Sequence, residues 1–312
     1  MENIAIIMGG TSKEKEISLK SGETIYKNID VLKYNAYRVI CMQDNQFEVV
    51  IEKRRLPIDT RDFSFMLKNR KIKFDKVFMM IHGDPGENGE LCPYFDAQRI
   101  PYTSCDGPTS LLTFNKFQCN NYLKQLGYRV PESNLYPIKG KIKLPCIIKP
   151  SSSGSSFGIS KVSNQNDLQE AIQEAIKHDK EVIIEEFIYG REFTCAVLNL
   201  NQETTTLPIT EIISENEIFD YDAKYNGKSI EETPANINKE VKDEIEKISK
   251  NIYQDLNLSG LIRIDFIMKD NLLYIIEINT IPGFSKNSIV PQMLECANIN
   301  MTKFITSQLE NI

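Results

Sequence analysis

Gly260-Leu261-Ile262-Arg263-Ile264-Asp265-Phe266-Ile267-Met268 and Leu273-Tyr274-Ile275-Ile276-Glu277-Ile278-Asn279 are two apolar, β-branched runs joined through Lys269-Asp270-Asn271, and their reading decides the fold. Such runs around a short polar turn predict a hairpin. Side chains two apart on a strand share a face, so Arg263 goes with Asp265 and Glu277 with Asn279. If the register pairs odd positions with odd, all four converge. One guanidinium, two carboxylates and one amide make a poor apolar core, because buried charge is costly without partners. They suit Mg²⁺, which takes oxygen ligands from one or two carboxylates and completes its shell on substrate phosphates. A salt-bridged solvent face is the commoner outcome for alternating charges. Against it, Asn279 leads into Thr280-Ile281-Pro282-Gly283, a turn exposing backbone beside the same groups.

Upstream, Val241, Ile245, Ile248 and Ile252 line one side of a helix predicted over 239–256. Before it lie alternating strands at 192–200 and 204–213 and a polar loop at 214–234. The middle of the chain predicts short strands at 145–150 and 159–162 flanking Ser151-Ser152-Ser153-Gly154-Ser155-Ser156-Phe157-Gly158, then a helix at 167–177 and a strand at 181–188. A Ser/Gly run is usually a linker. Set between two strands of one domain, with Lys149 at its start, it reads as a flexible phosphate cover. It lacks the Gly-Lys-Ser/Thr of a Walker loop.

The first third alternates: strand 4–8, a glycine turn, helix 16–29, strand 36–41, a polar stretch, then an apolar run at 76–81 ending in His82-Gly83. This pattern predicts a parallel sheet with helices on its faces and ligands at the strands' carboxyl ends, where Gly9-Gly10 and His82-Gly83 fall. Gly9-Gly10-Thr11 lacks the third glycine of a dinucleotide fingerprint. A loop-like stretch at 101–108 and a helix at 115–126 follow, with Cys119, Leu123 and Leu126 on one face. The expected fold class is α/β and α+β, in three parts at 1–103, 104–188 and 189–312.

Composition narrows the function. Of 312 residues, 37 are Lys or Arg and 43 Asp or Glu, a net charge of −6 that argues against a partner read through a nucleic-acid backbone. The opening residues have no basic n-region, and no apolar run nears the roughly 18 residues of a membrane span, so neither a signal peptide nor a membrane partner is expected. Seven scattered cysteines fit reduced thiols in the cytoplasm, and two histidines cannot build a histidine metal cluster.

Taken in order, the motifs resemble the D-alanine–D-alanine ligase family of the ATP-grasp superfamily. The resemblance runs through Gly9-Gly10-Thr11-Ser12-x-Glu14-x-Glu16-x-Ser18, His82-Gly83-x-x-Gly86-Glu87-Asn88-Gly89, Lys149-Pro150 with Gly154-Ser155-Ser156-x-Gly158, and Glu185 with Gly190-x-Glu192-Phe193-Thr194. It ends with Asp222-Ala223-Lys224-Tyr225, Arg263-x-Asp265-Phe266 and Glu277-Ile278-Asn279-Thr280-x-Pro282-Gly283. It implies an ATP-grasp fold behind a Rossmann-like N-terminal domain. ATP would be held by Lys116, Lys149, Lys224 and the loop with Ser155, with Glu185, Glu186, Phe187 and Ile188 around adenine and Glu192 on the ribose. Asp265, Glu277 and Asn279 would hold two Mg²⁺ or Mn²⁺ ions. Glu14 would pair with the first D-alanine's ammonium, with His82 close by, and Ser288 would bind the second D-alanine's carboxylate. Arg263 and the Gly283 N–H would form an oxyanion hole, and Glu14, Ser155 and Tyr225 a hydrogen-bonded triad under a lid at 214–234. The implied activity is ATP-dependent joining of two D-alanines through an acyl phosphate for peptidoglycan, by a cytoplasmic homodimer. Tyr225 favours an amine over D-lactate as nucleophile. A D-alanine–D-lactate ligase and a non-catalytic nucleotide-binding regulator are the rival readings. Cys92-Pro93 and Asn115, where relatives often carry Gln-Gly and aspartate, are expected to affect packing more than reaction.

Overall fold

The computed structural model describes residues 1–154, 157–200, 202–214 and 229–312, so Ser155, Lys224, Tyr225 and most of the expected lid lie outside the described residues. Strand β1 (Glu2–Gly9), helix α1 (Lys15–Asn28) and β2 (Tyr34–Cys41) open the chain as the alternation predicts. Strands β3 (Phe47–Ile51), β4 (Arg54–Pro57), β5 (Ser64–Leu67) and β6 (Arg70–Lys73) follow, then β7 (Lys76–Met79). The first sheet runs β4-β3-β2-β1-β7, with β2, β1 and β7 parallel. The sequence reads 42–75 as a polar stretch. Its strands are short and partly solvent-facing, and their apolar residues are too few to establish a period.

Helices α2 (Cys92–Gln98) and α3 (Gly107–Phe114) were not predicted, while α4 (Lys116–Gln125) was. Asn115 caps α4 by accepting the Gln118 N–H at 2.9 Å. The same amide oxygen accepts the Ser151 hydroxyl, and its nitrogen donates to Glu181 at 3.1 Å. A second, four-stranded antiparallel sheet in the order β10-β9-β11-β8 uses β8 (Ser133–Leu135), β9 (Cys146–Pro150), β10 (Ser160–Val162) and β11 (Val182–Glu186), with α5 (Leu168–Ile176) against it.

The third sheet contains, among the described residues, β12 (Arg191–Leu200), β13 (Glu203–Thr206), β14 (Thr210–Ser214), β15 (Ser229–Glu232), β16 (Ile262–Lys269) and β17 (Leu272–Asn279). The single strand expected over 204–213 is two, broken at Leu207-Pro208, since proline has no N–H for a ladder. Helix α6 (Lys239–Asp255) buries Ile245 and Ile252 as its spacing predicts. Helices α7 (Ile289–Cys296) and α8 (Met301–Glu310) end the chain.

The two faces of β12 explain where a site can form. Phe193, Cys195 and Val197 pack with Ile264 and Phe266 of β16 into the core under α6, which also takes Cys119 and Leu123 of α4. Ala196 and Leu198 turn the other way and share a core with β1, β7, α7 and α8. The third sheet therefore presents its polar positions toward the first unit's glycine turns. Among the described residues no helix is long and apolar enough to cross a membrane.

Candidate active site

The hairpin of β16 and β17 closes on a two-residue turn, Lys269 opposite Leu272, with Asp270 and Asn271 both in the left-handed region at φ 51° and 59°. That closure pairs odd positions with even ones. Continued unchanged, it would put Glu277 and Asn279 on the face opposite Asp265. A β-bulge intervenes: Phe266 pairs with Ile275 but Asp265 pairs with Glu277, leaving Ile276 as the extra residue. Beyond it Arg263 faces Asn279, and the four polar side chains meet on one face. Leu273 and Ile275 on one side of the bulge and Ile278 on the other all enter the core.

The resulting cluster is knit around Asp265. Arg263 forks onto Asp265, Nε to Oδ1 at 3.0 Å and Nη2 to Oδ2 at 2.9 Å. The Asn279 amide donates to Asp265 Oδ2 at 3.1 Å. Thr194 of β12, opposite Asp265 in the ladder, donates its hydroxyl to Oδ1 at 2.6 Å. Sequence reasoning gave Thr194 no role; the polar pair Glu192 and Thr194, two apart in an apolar strand, is the signal that puts both on this face. Lys116, at the start of α4, sits 3.4 Å from Glu277 and donates to the Ser153 carbonyl at 2.6 Å. It thereby joins the Ser/Gly loop to the hairpin.

These groups open on a cleft of about 1140 Å³ lined by Glu14, His82, Glu87, Lys116, Gly154, Arg263, Glu277, Asn279, Gly283 and Ser288, with further lining along α1. Gly154 approaches Glu14 so closely that a Cβ there would lie 2.0 Å from a carboxylate oxygen, so any side chain at 154 would displace the Glu14 carboxylate. His82 is buried and both its ring nitrogens are engaged, Nδ1 with the Ile281 carbonyl at 2.7 Å and Nε2 with Ser21 at 2.9 Å. Burial lowers its pKa. Ser288, the N-cap residue of α7, accepts the Ser285 N–H at 3.0 Å beside Gly283. Glu87 accepts the Gly83 N–H at 3.0 Å, and burial together with the Glu14 carboxylate pushes its pKa up to about 7. The sequence alone assigns it no role, although the Gly-Glu-Asn-Gly run contains it.

Not every expected residue lies in this cleft. Lys149 and Glu185 form their own buried ion pair at 2.7 Å on the second sheet. Glu186 is exposed at the end of β11, Phe187 packs its ring under the Lys161 ammonium at 4.1 Å, and Ile188 is buried. Glu192 faces the same side as Thr194, toward Asp265. Two carboxylates and an amide oxygen on one face, with the Lys116 ammonium at hand, can bind a divalent cation carrying an oxyanion such as a polyphosphate.

Comparisons with known proteins agree with this geometry. Residues 3–105 match the family described as D-ala D-ala ligase N-terminus, and residues 121–310 match D-ala D-ala ligase C-terminus. The D-alanine–D-alanine ligase of Phocaeicola vulgatus is 43% identical over 99% of this chain and 98% of its own, and that of Flavobacterium johnsoniae is 43% identical over 99% of each. Among solved structures, the VanG D-Ala:D-Ser ligase from Enterococcus faecalis is 30% identical, with a TM-score of 0.87 over 99% of this chain and 98% of that one. The D-alanine–D-alanine ligase from Bacillus anthracis complexed with ATP is 25% identical, with a TM-score of 0.78 over 100% and 98%. The odd-numbered face of the hairpin, the glycine turns facing it and the full-length similarity have one common explanation: this chain belongs to the D-alanine–D-alanine ligase family.

Proposed function

We propose that the chain joins two D-alanines at the expense of ATP, making D-alanyl-D-alanine for peptidoglycan. The observation that carries the reading is the convergence of Arg263, Glu277 and Asn279 on the cleft that Glu14, Gly283 and Ser288 also line, with Asp265 buried directly behind them and hydrogen-bonded to Arg263 and Asn279. Asp265, Glu277 and Asn279 offer hard oxygen atoms, which fits two Mg²⁺ or Mn²⁺ ions; bound there, the ions would neutralise charge on the transferred phosphoryl group. Lys116 from within the cleft, with Lys149 and Lys224, would hold the phosphates. Ser155 and the Ser/Gly loop would cover them, while Glu185, Glu186, Phe187, Ile188 and Glu192 would take the nucleoside.

Glu14 would hold the first D-alanine's ammonium, with His82 nearby. The carboxylate oxygen of this first D-alanine would attack the γ-phosphorus of ATP, forming a C–O–P linkage and releasing ADP. The second D-alanine, held through its carboxylate at Ser288, loses an ammonium proton and attacks the acyl carbon; the C–N bond forms, the C–O bond to phosphate breaks and phosphate leaves. Arg263 and the Gly283 N–H would stabilise the oxygen of the tetrahedral intermediate, a contribution of about 3 kcal/mol for one well-placed donor. The triad of Glu14, Ser155 and Tyr225 would join the two substrate sites, and the 214–234 segment would exclude water from the acyl phosphate.

We place the enzyme in the cytoplasm, where ATP is made and where its seven free cysteines stay reduced. A homodimer acting on small molecules, with neither nucleic acid nor membrane as partner, completes the proposal; sedimentation velocity checks the assembly. Phosphate release is measured with ATP and D-alanine alone, then with D-lactate, D-serine or L-alanine added as second substrate. Turnover with D-alanine alone is expected. Its absence, with turnover on adding D-serine or D-lactate, reassigns the second substrate; ATP binding without turnover on any mixture points to the regulator.

A further inference from the structure

A chain of three buried hydrogen bonds, two of which cross between them, ties the first unit to the loop carrying Gly283. The Phe284 N–H donates to Ser21 Oγ at 3.0 Å, Ser21 Oγ lies 2.9 Å from His82 Nε2, and His82 Nδ1 lies 2.7 Å from the Ile281 carbonyl. The carbonyl can only accept, so Nδ1 carries the proton. Burial favours the neutral ring. Nε2 is then an acceptor, and the Ser21 hydroxyl donates to it while accepting from Phe284. The relay grips the backbone at Ile281 and Phe284, the residues on either side of Pro282-Gly283.

Its anchor is rigid. Ser21 is fully buried on α1, and the neighbouring Gly22 lies so close to Met8 of β1 that a Cβ would come within 2.7 Å of that side chain. The other end is equally fixed, because Phe284 is buried and stacks on Phe304 of α8 with ring centroids 5.4 Å apart. With both ring nitrogens committed inside the protein, His82 has no free N–H to offer a substrate.

We propose that Ser21 is a positioning residue which, through His82, holds the Pro282-Gly283 turn so that the Gly283 N–H aims at the oxygen of the tetrahedral intermediate. The proposal rests on the ligase reading and assigns a duty within it to a residue that touches no substrate. An oxyanion donor works only within about 2.7–3.1 Å of the developing charge. A displacement of about 1 Å costs on the order of 10²-fold in rate.

The consequence is specific to one half of the reaction. Acyl phosphate formation develops charge on phosphorus oxygens, whereas attack by the second amine develops it on the carbonyl oxygen. In Ser21→Ala, exchange of label between bridging and non-bridging positions of ¹⁸O-labelled ATP in the presence of D-alanine, which reports reversible acyl phosphate formation, is expected to stay within about twofold of the parent. Dipeptide formation at saturating substrates is expected to fall on the order of 10- to 100-fold, with the KM for ATP unchanged. Ser21→Cys, nearly isosteric with a weaker donor, is expected to lie between, and carries the same test if the alanine variant does not fold. Equal loss in both half-reactions, or loss in neither, overturns the positioning role. Because the unsubstituted enzyme is assayed alongside, its failure to turn over D-alanine would instead sink the ligase reading.

Discussion

On the turn side of Ile276 the hairpin of β16 and β17 packs a core, and on the other side it holds an acidic site. Leu273 and Ile275 point into the apolar cluster under α6. Past the bulge the inward positions shift by one, so Ile278 is buried while Glu277 and Asn279 face the cleft. One extra residue thus lets a single hairpin carry two registers. The turn-side register satisfies the two-residue turn; the site-side register aligns ligands with Asp265. The energetic demands of the halves are therefore separable.

The largest effect is expected from Glu277→Gln, which keeps shape and register but removes one negative charge. Turnover should fall about 10²-fold or more, on the scale of losing a key electrostatic group, with the melting temperature within a few degrees of the parent. Leu273→Ala should show the opposite signature. A cavity in the core costs about 2–5 kcal/mol by denaturant titration, while kcat in the variant that remains folded should stay within about twofold.

The smallest effect is a pH dependence across the cleft from the site-side half. Glu87 has a folded-state pKa raised to about 7, well above that of an unfolded glutamate, about 4.3. Its protonated form therefore stabilises the fold fully below about pH 4, and that contribution is lost as the pH rises through about 7. Glu87→Gln cannot ionise. Its melting temperature should gain on that of the parent as pH rises from about 5 to 8, and the two should converge at the acid end. A gap independent of pH would place the ionisation elsewhere.

Much of this architecture was legible in the chain. Period-two and period-four apolar patterns located β1, α1, β2, α4, α5, α6 and both strands of the final hairpin, and the ordered motifs identified the family. Short elements with mixed faces, such as β3 to β6, escaped because a few apolar residues do not establish a period. Helices α7 and α8 are short and carry few periodic positions, although Val290, Met293 and Leu294, and then Phe304, Ile305 and Leu309, are all buried. At the site, Glu14, His82, Lys116, Arg263, Glu277, Asn279, Gly283 and Ser288 are all expected from the motifs, and they line one cleft. Thr194, Ser21 and Glu87 were not given roles, because a hydroxyl or carboxyl acquires its meaning from a neighbour distant in sequence.

The sequence by itself determined which residues are available: acids and an amide spaced two apart on apolar strands, glycines after strands, and a turn made from Asp270 and Asn271. It determined those because side-chain alternation and backbone permissiveness are local properties. Only the tertiary structure decided that the two odd-numbered faces meet. The adjacent pair Ile275-Ile276 hints at a break in alternation, but which residue is expelled from the ladder depends on what both faces pack against, the α6 core on one side and the first unit's glycine turns on the other.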